Sequence, residues 1–314
     1  MKKLISIVTP CYNEEANADN LYKQIRSVMA EYHNYDYEHI FIDNCSEDNT
    51  VKIIKEIAKT DKNVKLIVNS RNFGHIRSPF YGLLQTSGDA VVKMASDLQD
   101  PPWLIKDLIG KWEQGYKIVK AVKTRSKESA IMFFIRKSFY YFINKLSDIP
   151  MTENYFGTGL YDKKIIEILR NINDPYPFFR GLVSEIGFDQ AVVEYTQRFR
   201  KQGISKHNFY TLYDMAILGI VSYSKTPLRF AAILGFIMSG ASLFVALVYI
   251  ILKFIFWSAF PMGIAPMIIA IFFFSSVQLF FIGVLGEYIG VIYTKVQNRP
   301  LVIEKERVNF DCKS

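Results

Sequence analysis

The sequence predicts an α/β protein: a mostly parallel, doubly wound sheet with flanking helices, then amphipathic interface helices and a C-terminal two-helix transmembrane hairpin. Three observations carry this expectation. Short apolar runs rich in β-branched residues alternate with helically spaced segments as far as Lys120, the pattern of strand–helix–strand units. These runs stop abruptly at polar clusters, as buried strands do where they deliver side chains to the edge of a parallel sheet. Two nearly uncharged stretches, Phe230 to Leu252 and Met267 to Ile292, are each long enough to cross a bilayer core, which needs about 20 residues.

Leu4 to Thr9 is the first apolar run, ended by Pro10, and Asn17 to Tyr32 carries Leu21, Ile25 and Val28 at helical spacing. His39 to Ile42 repeats the strand pattern and stops at Asp43-Asn-Cys-Ser46, a turn cluster, before a helix over Thr50 to Lys59. Val64 to Val68 reads as a third strand, Ser78 to Gln85 as a helix and Ala90 to Met94 as a fourth strand. That fourth run breaks at Asp97-Leu-Gln-Asp100 before Pro101 and Pro102. Asp100 has the position of a helix N-cap, with Pro101 at the first helical residue. Capping does not explain Asp97 and Gln99, which remain candidates for work on a metal or a phosphate. In an open α/β sheet ligands bind beyond the strand ends, here Tyr12 to Glu14, Asp43, Arg71 to His75 and Asp97 to Gln99.

Half of the 314 residues are hydrophobic, high for a wholly soluble enzyme. The distribution divides the chain into a globular part, 1–225, a transmembrane hairpin, 226–296, with helices over about 228–253 and 266–293, and a tail, 297–314. Lys201, Lys206, Lys225 and Arg229 precede the first span, and Lys295, Arg299, Lys305 and Arg307 follow the second. The connecting loop carries Lys253 alone. Positive charge flanking both outer ends places the globular part and both termini on the cytoplasmic side of a plasma (inner) membrane. The N-terminal apolar segment is too short for a signal peptide. Cys11, Cys45 and Cys312 lack metal-ligand spacing and read as free thiols in a reducing compartment. With a membrane hairpin in the same chain, the net charge of +8 fits an anionic bilayer rather than nucleic acid.

Beyond Lys120, Ile131 to Leu146 mixes Phe, Tyr and Ile with Arg136, Lys137 and Lys145, which suits either an amphipathic helix at the membrane interface or a core helix. Tyr195 to Lys206 concentrates Arg198, Arg200, Lys201, Ser205 and Lys206 around Gly203. A solvated loop is the ordinary reading of such a run. Directly before a span, it is also placed to hold a phosphate at the bilayer surface.

Ser6-Ile-Val-Thr-Pro-Cys-Tyr-Asn-Glu-Glu15, Ile42-Asp-Asn-Cys-Ser-Glu-Asp-Asn-Thr50, Arg71-Asn-Phe-Gly-His75 and Asp97-Leu-Gln-Asp-Pro-Pro102 together resemble the inverting GT-A glycosyltransferases, whose core is a Rossmann-like sheet. Arg180-Gly-Leu182, Gly203-Ile-Ser-Lys206, Pro227-Leu-Arg229 and Gly286-Glu-Tyr288 narrow the resemblance to the polyprenyl-phosphate glycosyltransferases, such as the bactoprenol glucosyltransferases and dolichol-phosphate-mannose synthases. It covers nearly the whole chain. The resemblance implies inverting transfer of a sugar from a nucleotide sugar, UDP-linked, to polyprenyl (undecaprenyl) phosphate on the cytoplasmic leaflet, in cell-envelope glycan modification, by a homo-oligomer in the bilayer. It further implies that Pro10, Tyr12, Asn13, Glu14, Asp43, Arg71 and Ser96 hold the nucleotide sugar. Asp97 and Gln99 would hold a divalent cation, Mg or Mn, as the catalytic pair, and Arg125, Arg200, Ser205 and Lys206 would fix the acceptor phosphate.

Three positions depart from the family pattern. Ala95 stands where a second carboxylate is common, Asp43-Asn-Cys-Ser46 replaces Asp-Asp-Gly-Ser, and Phe156-Gly-Thr-Gly-Leu160 replaces Gly-Asp-Phe-Arg-Leu, deleting the aspartate often proposed as a base. Glu153 and Asp162 are close enough in sequence to compensate. The alternatives to the leading reading are transfer to another membrane lipid or glycan acceptor, and a catalytically silent membrane subunit that binds nucleotide sugar.

Overall fold

The computed structural model describes residues 2–125, 152–197, 217–256 and 263–310. Four parallel strands form its centre: β1 (Lys3–Cys11), β2 (Tyr35–Asp43), β3 (Val64–Asn69) and β4 (Ala90–Lys93), joined through helices α1 (Ala18–Ala30), α2 (Thr50–Thr60) and α3 (Gly74–Leu84). The order β3-β2-β1-β4 is that of a doubly wound nucleotide-binding half. The strands read as near-continuous apolar runs because both faces are covered: Ile5, Ile7 and Val92 pack with α1, while Val8, Ile42 and Val91 pack with Phe80 and Leu83 of α3. Gly82 makes that second layer possible, since a Cβ there would come within 2.9 Å of Ile42. Pro10 does not end β1. It lies within the strand, opposite Ile42.

After α4 (Leu104–Glu113) the sheet continues through β5 (Ile118–Arg125), β6 (Tyr155–Asp162) and β7 (Gln190–Thr196), with α5 (Lys163–Ile172) and α6 (Phe179–Glu185) between the last two strands. β6 runs antiparallel to both β4 and β5, so its start lies at the same edge as the ends of the central strands. Two helices then follow, α7 (Thr226–Ile255) and α8 (Ile264–Val296). Both are long and apolar enough to cross a membrane, and their windows are 0% buried, as expected of side chains that meet lipid tails.

The segment after the second span is more than a tail. Glu304–Val308 forms β8, which pairs antiparallel with β3 and closes that edge as the eighth strand. Lys55 and Glu306 bridge it to α2 at 2.6 Å, and the Ser70 N–H donates to the Ile303 carbonyl at 2.9 Å. Charged side chains on this strand suit an exposed edge. The hairpin is also fastened at its membrane end. The Tyr288 hydroxyl donates to the Ser224 carbonyl at 2.8 Å, Lys295 pairs with Asp174 at 2.9 Å, and Val291 packs with Phe178 and Tyr223. Gly181 allows this seat, because a Cβ on it would lie 2.3 Å from the Tyr223 ring.

Candidate active site at the sheet edge

Every expected nucleotide-side residue that the structure describes stands at or next to the C-terminal edge of β1 to β4. Pro10 and Asp43 lie in the last turns of β1 and β2, where Cys11 faces Asp43 in register. Tyr12, Asn13 and Glu14 follow β1, Arg71 follows β3, and Ser96, Asp97 and Gln99 follow β4.

Backbone geometry and side-chain hydrogen bonds fix these loops together. Asn13 and Cys45 adopt left-handed φ of 53° and 66°, conformations unfavourable for most side chains that asparagine tolerates better than most. The Asn13 N–H donates to Ser46 Oγ at 2.8 Å, and the Glu47 N–H donates back to Asn13 Oδ1 at 2.9 Å. Asp43 accepts from the Ser46 N–H at 2.9 Å and from the Ser46 hydroxyl. Burial pushes the Asp43 carboxyl above the usual carboxylate range, and the bonds from Ser46 oppose that shift. Glu14 is also buried; it accepts from Asn17 Nδ2 at 2.7 Å, while its own N–H donates to Thr50 Oγ1 at 2.8 Å.

The Arg71 loop is held by two asparagines that the sequence reading passed over. Asn44 Oδ1 accepts from the Phe73 N–H at 2.9 Å and from Asn69 Nδ2 at 3.1 Å, and Asn44 Nδ2 donates to Asn72 Oδ1 at 2.8 Å. The Arg71 guanidinium stacks 4.1 Å from the Phe73 ring centroid, exposed at the edge. Asn44 occupies a family position that commonly carries aspartate. Its amide both donates and accepts, which a carboxylate would not do.

The Asp97 turn differs from the expectation in one respect. Leu98 takes a left-handed φ of 58°, and the Gln99 N–H donates to Asp97 Oδ1 at 3.2 Å, an Asx-type turn. Asp100, however, caps no helix. α4 starts at Leu104 with Trp103 at its N-cap and no side-chain cap, and residues 101–103 form a turn in which the Leu104 N–H donates to the Pro101 carbonyl at 3.0 Å. The buried Asp100 carboxylate accepts instead from Thr158 Oγ1 at 2.6 Å and from the Tyr195 hydroxyl. It thereby ties the end of β4 to β6 and β7. Those partners lie 58 and 95 residues away, so local cap chemistry could not reveal them.

One carboxylate, that of Asp97, and the Gln99 amide therefore represent the hard oxygen donors of this loop. Gln99 Oε1 already accepts from Gln197 Nε2 at 2.9 Å. Among the described residues there is no group of three His, Cys, Asp or Glu side chains that could hold a metal. Asp162 offers no replacement carboxylate. It pairs with Ala90 at the opposite end of β4, where it accepts from Trp112 Nε1 at 2.8 Å and Lys117 Nζ at 2.9 Å and caps α5. Glu153 precedes β6 on the active edge and is exposed. The Arg125 side chain, Arg200, Ser205, Lys206 and the segment 131–146 lie outside the described residues.

Sequence reading also missed two cations on the other side of β4. Lys93, the last residue of that strand, lies 4.7 Å from the Phe179 ring centroid. Arg180, next on α6, stacks 5.1 Å from the Phe178 ring. A lysine closing an otherwise apolar strand was the available signal.

A doubly wound sheet whose C-terminal edge gathers Asp43, Arg71 and Asp97, fused to an apolar hairpin, defines a membrane-attached nucleotide-sugar enzyme of the GT-A class. Residues 6–169 match the family described as Glycosyl transferase family 2, and the chain belongs to that family, within its polyprenyl-phosphate branch, as a hexosyltransferase. It is 36% identical to the SfII prophage-derived bactoprenol glucosyl transferase of Shigella flexneri over 303 residues, covering 96% of this chain and 97% of the relative. The uncharacterized glycosyltransferase YkcC of Bacillus subtilis is 34% identical over 98% of this chain and 95% of its own length. The prophage bactoprenol glucosyl transferase homolog of Escherichia coli is 33% identical over 96% and 98%.

Proposed function

We propose that this protein transfers a hexose from a UDP-sugar to undecaprenyl phosphate on the cytoplasmic leaflet of the inner membrane, with inversion at the anomeric carbon. The observation that carries this reading is the double attachment of the hairpin. Chain enters α7 from Ser224 and Lys225, and after α8 it returns to the same sheet as β8. If both helices cross the bilayer, the two attachments lie on one side of it, and the basic residues at both outer ends favour the cytoplasmic side. An edge that holds a nucleotide sugar and is tied to lipid at this distance favours a lipid-borne acceptor, in keeping with the bactoprenol glucosyl transferase names of the relatives. Self-assembly through the exposed faces of α7 and α8 belongs to the same proposal.

In this reading Pro10, Tyr12, Asn13, Glu14 and Asp43 cradle the nucleoside, and Arg71 and Ser96 face the diphosphate. Asp97 and Gln99 hold Mg or Mn. A single carboxylate with an amide oxygen fits such an ion, which keeps waters and draws its remaining ligands from substrate phosphates. When bound, the ion supplies Lewis-acid stabilisation of the departing diphosphate. Arg200, Ser205, Lys206 and Arg125 bind the acceptor phosphate.

Gly157 leaves the site without a carboxylate at that position, and the chemistry tolerates this. A phosphate monoester has its second pKa near 6 and carries most of its second charge at neutral pH. The nucleophile arrives deprotonated, so general-base help, worth about 10²- to 10⁴-fold where a proton must move, is not required. Holding two anions in line becomes the main demand, which cations meet.

The test is label transfer. Membranes containing the protein are expected to move radiolabel from UDP-glucose or another UDP-hexose to undecaprenyl phosphate, and Asp97→Ala to lower the rate by about 10²-fold or more, the usual loss when a transition-state charge contact is removed. Undiminished transfer by Asp97→Ala would contradict the metal assignment, and absence of lipid-linked product across a panel of nucleotide sugars would contradict the function.

A further inference from the structure

We propose that Lys93 and Arg180 form a second phosphate seat on the α6 side of the active edge and hold the acceptor's phosphate monoester there. The inference rests on the lipid-phosphate reading above and adds to it residues that no motif supplies.

Lys93 ends β4 two residues after Val91 and shares its face, the face that packs with Leu182, Val183 and Phe179 of α6. Its ammonium is thus drawn in among aromatic side chains: Phe179 lies 4.7 Å from Nζ, and the Tyr161 ring stacks on Phe179 at 5.2 Å. Among the described residues no side chain or carbonyl hydrogen-bonds that Nζ. The carboxylate that faces it, Asp100, is already engaged by Thr158 and Tyr195. The second charged group within its field is another cation, Arg180. Burial first and Arg180 second bring the Lys93 ammonium down to about 8, with Asp100 opposing them. A desolvated lysine beside an arginine is unfavourable in isolation. It becomes favourable when an anion enters between them.

There is room for that anion at Gly157. Its φ is +95°, and a Cβ built on it would sit 3.0 Å from Lys93 Nζ. No side chain therefore stands between the ammonium and the start of β6 at the edge that carries Asp97. Where the family pattern places a carboxylate, this chain presents bare backbone to a lysine, an exchange of negative for positive charge that suits a phosphate already deprotonated. The cation–π contacts to Phe179 and Phe178 keep both side chains in place.

The experiment uses the full chain in detergent micelles, with farnesyl phosphate and farnesol as probes and native mass spectrometry to measure binding. The wild-type protein is expected to prefer the phosphate. Lys93→Met is expected to lose roughly 10- to 100-fold of that preference, the range for hydrogen bonds to charged groups, with farnesol and UDP affinities unchanged. Its melting temperature should hold or rise, because the variant removes a desolvated charge and preserves volume. Arg180→Gln reads the same preference should Lys93→Met fail to accumulate. Full phosphate preference in Lys93→Met would overturn the seat while leaving the proposed function standing. A loss of UDP affinity instead would assign the lysine to the donor diphosphate and also overturn it. No phosphate preference in the wild type would overturn the seat together with the acceptor assignment.

Discussion

At the N-terminal ends of the parallel strands, Glu38 accepts from Ser6 Oγ at 2.5 Å, Lys65 Nζ at 2.7 Å and the Ser87 N–H at 2.9 Å, while Asp162 accepts from Trp112 and Lys117. At the C-terminal ends, Asn13, Cys45 and Leu98 hold left-handed backbone, and most of the hydrogen bonds join one loop to another. One sheet therefore has an end where charges are matched and an end where loops are held in costly conformations. Matched charge secures the fold, whereas strained loops present groups to a ligand. Gly88 shows how closely the first end is fitted: a Cβ there would meet Ser6 Oγ at 2.6 Å. At the second end, the Cβ position of Gly157 opens towards a lysine.

The contrast can be broken most severely at Glu38. Bonds from Ser6, Ser87 and Lys65 outweigh the burial that opposes them and hold its carboxyl below the usual range. Glu38→Ala would leave Lys65 without its partner, and a loss of about 3 kcal/mol is expected in denaturant unfolding. UDP affinity of the folded fraction should not change. A variant that melts normally but loses UDP binding would show that the two ends are not separable.

A smaller effect sharpens the comparison in the middle of the sheet. His39 is fully buried, stacked 4.0 Å from the Phe41 centroid, with Nε2 3.0 Å from Thr9 Oγ1. Burial lowers its imidazole to about 3 from an ordinary 6.5, so the folded protein keeps it neutral. Between those values the unfolded chain binds the extra proton. The stabilising contribution of neutral His39 is thus complete above pH 6.5 and is lost as pH falls towards 3, by up to about 1.4 kcal/mol per pH unit. Stability curves of wild type and His39→Phe should converge in slope above pH 6.5 and diverge below it. Parallel curves throughout would contradict a neutral buried histidine.

The sheet edge was legible in the sequence because each apolar run ended at a polar cluster, so Asp43, Arg71 and Asp97 could be assigned to one crevice before any coordinates. What stayed hidden depends on partners far along the chain. Asp100 looked like a cap because Pro101 follows it, yet its hydrogen bonds come from β6 and β7. β8 shows no apolar run, since Glu304 to Val308 is an edge strand rich in charge whose partner lies more than 200 residues earlier. Lys93 was hidden for a different reason: its meaning depends on Gly157 being bare and Phe179 being near.

The central claim is that Asp97 on the strained edge couples nucleotide to metal while the matched edge alone secures the fold. Calorimetric titration of UDP into wild type and Asp97→Ala, each with and without Mn, tests it directly. Mn is expected to tighten UDP binding to the wild type, about tenfold or more for one carboxylate–metal–diphosphate bridge, and to have no effect on Asp97→Ala, whose melting temperature should match the wild type. Equal UDP affinity in the wild type with and without Mn, or the same tightening in Asp97→Ala, would contradict the claim.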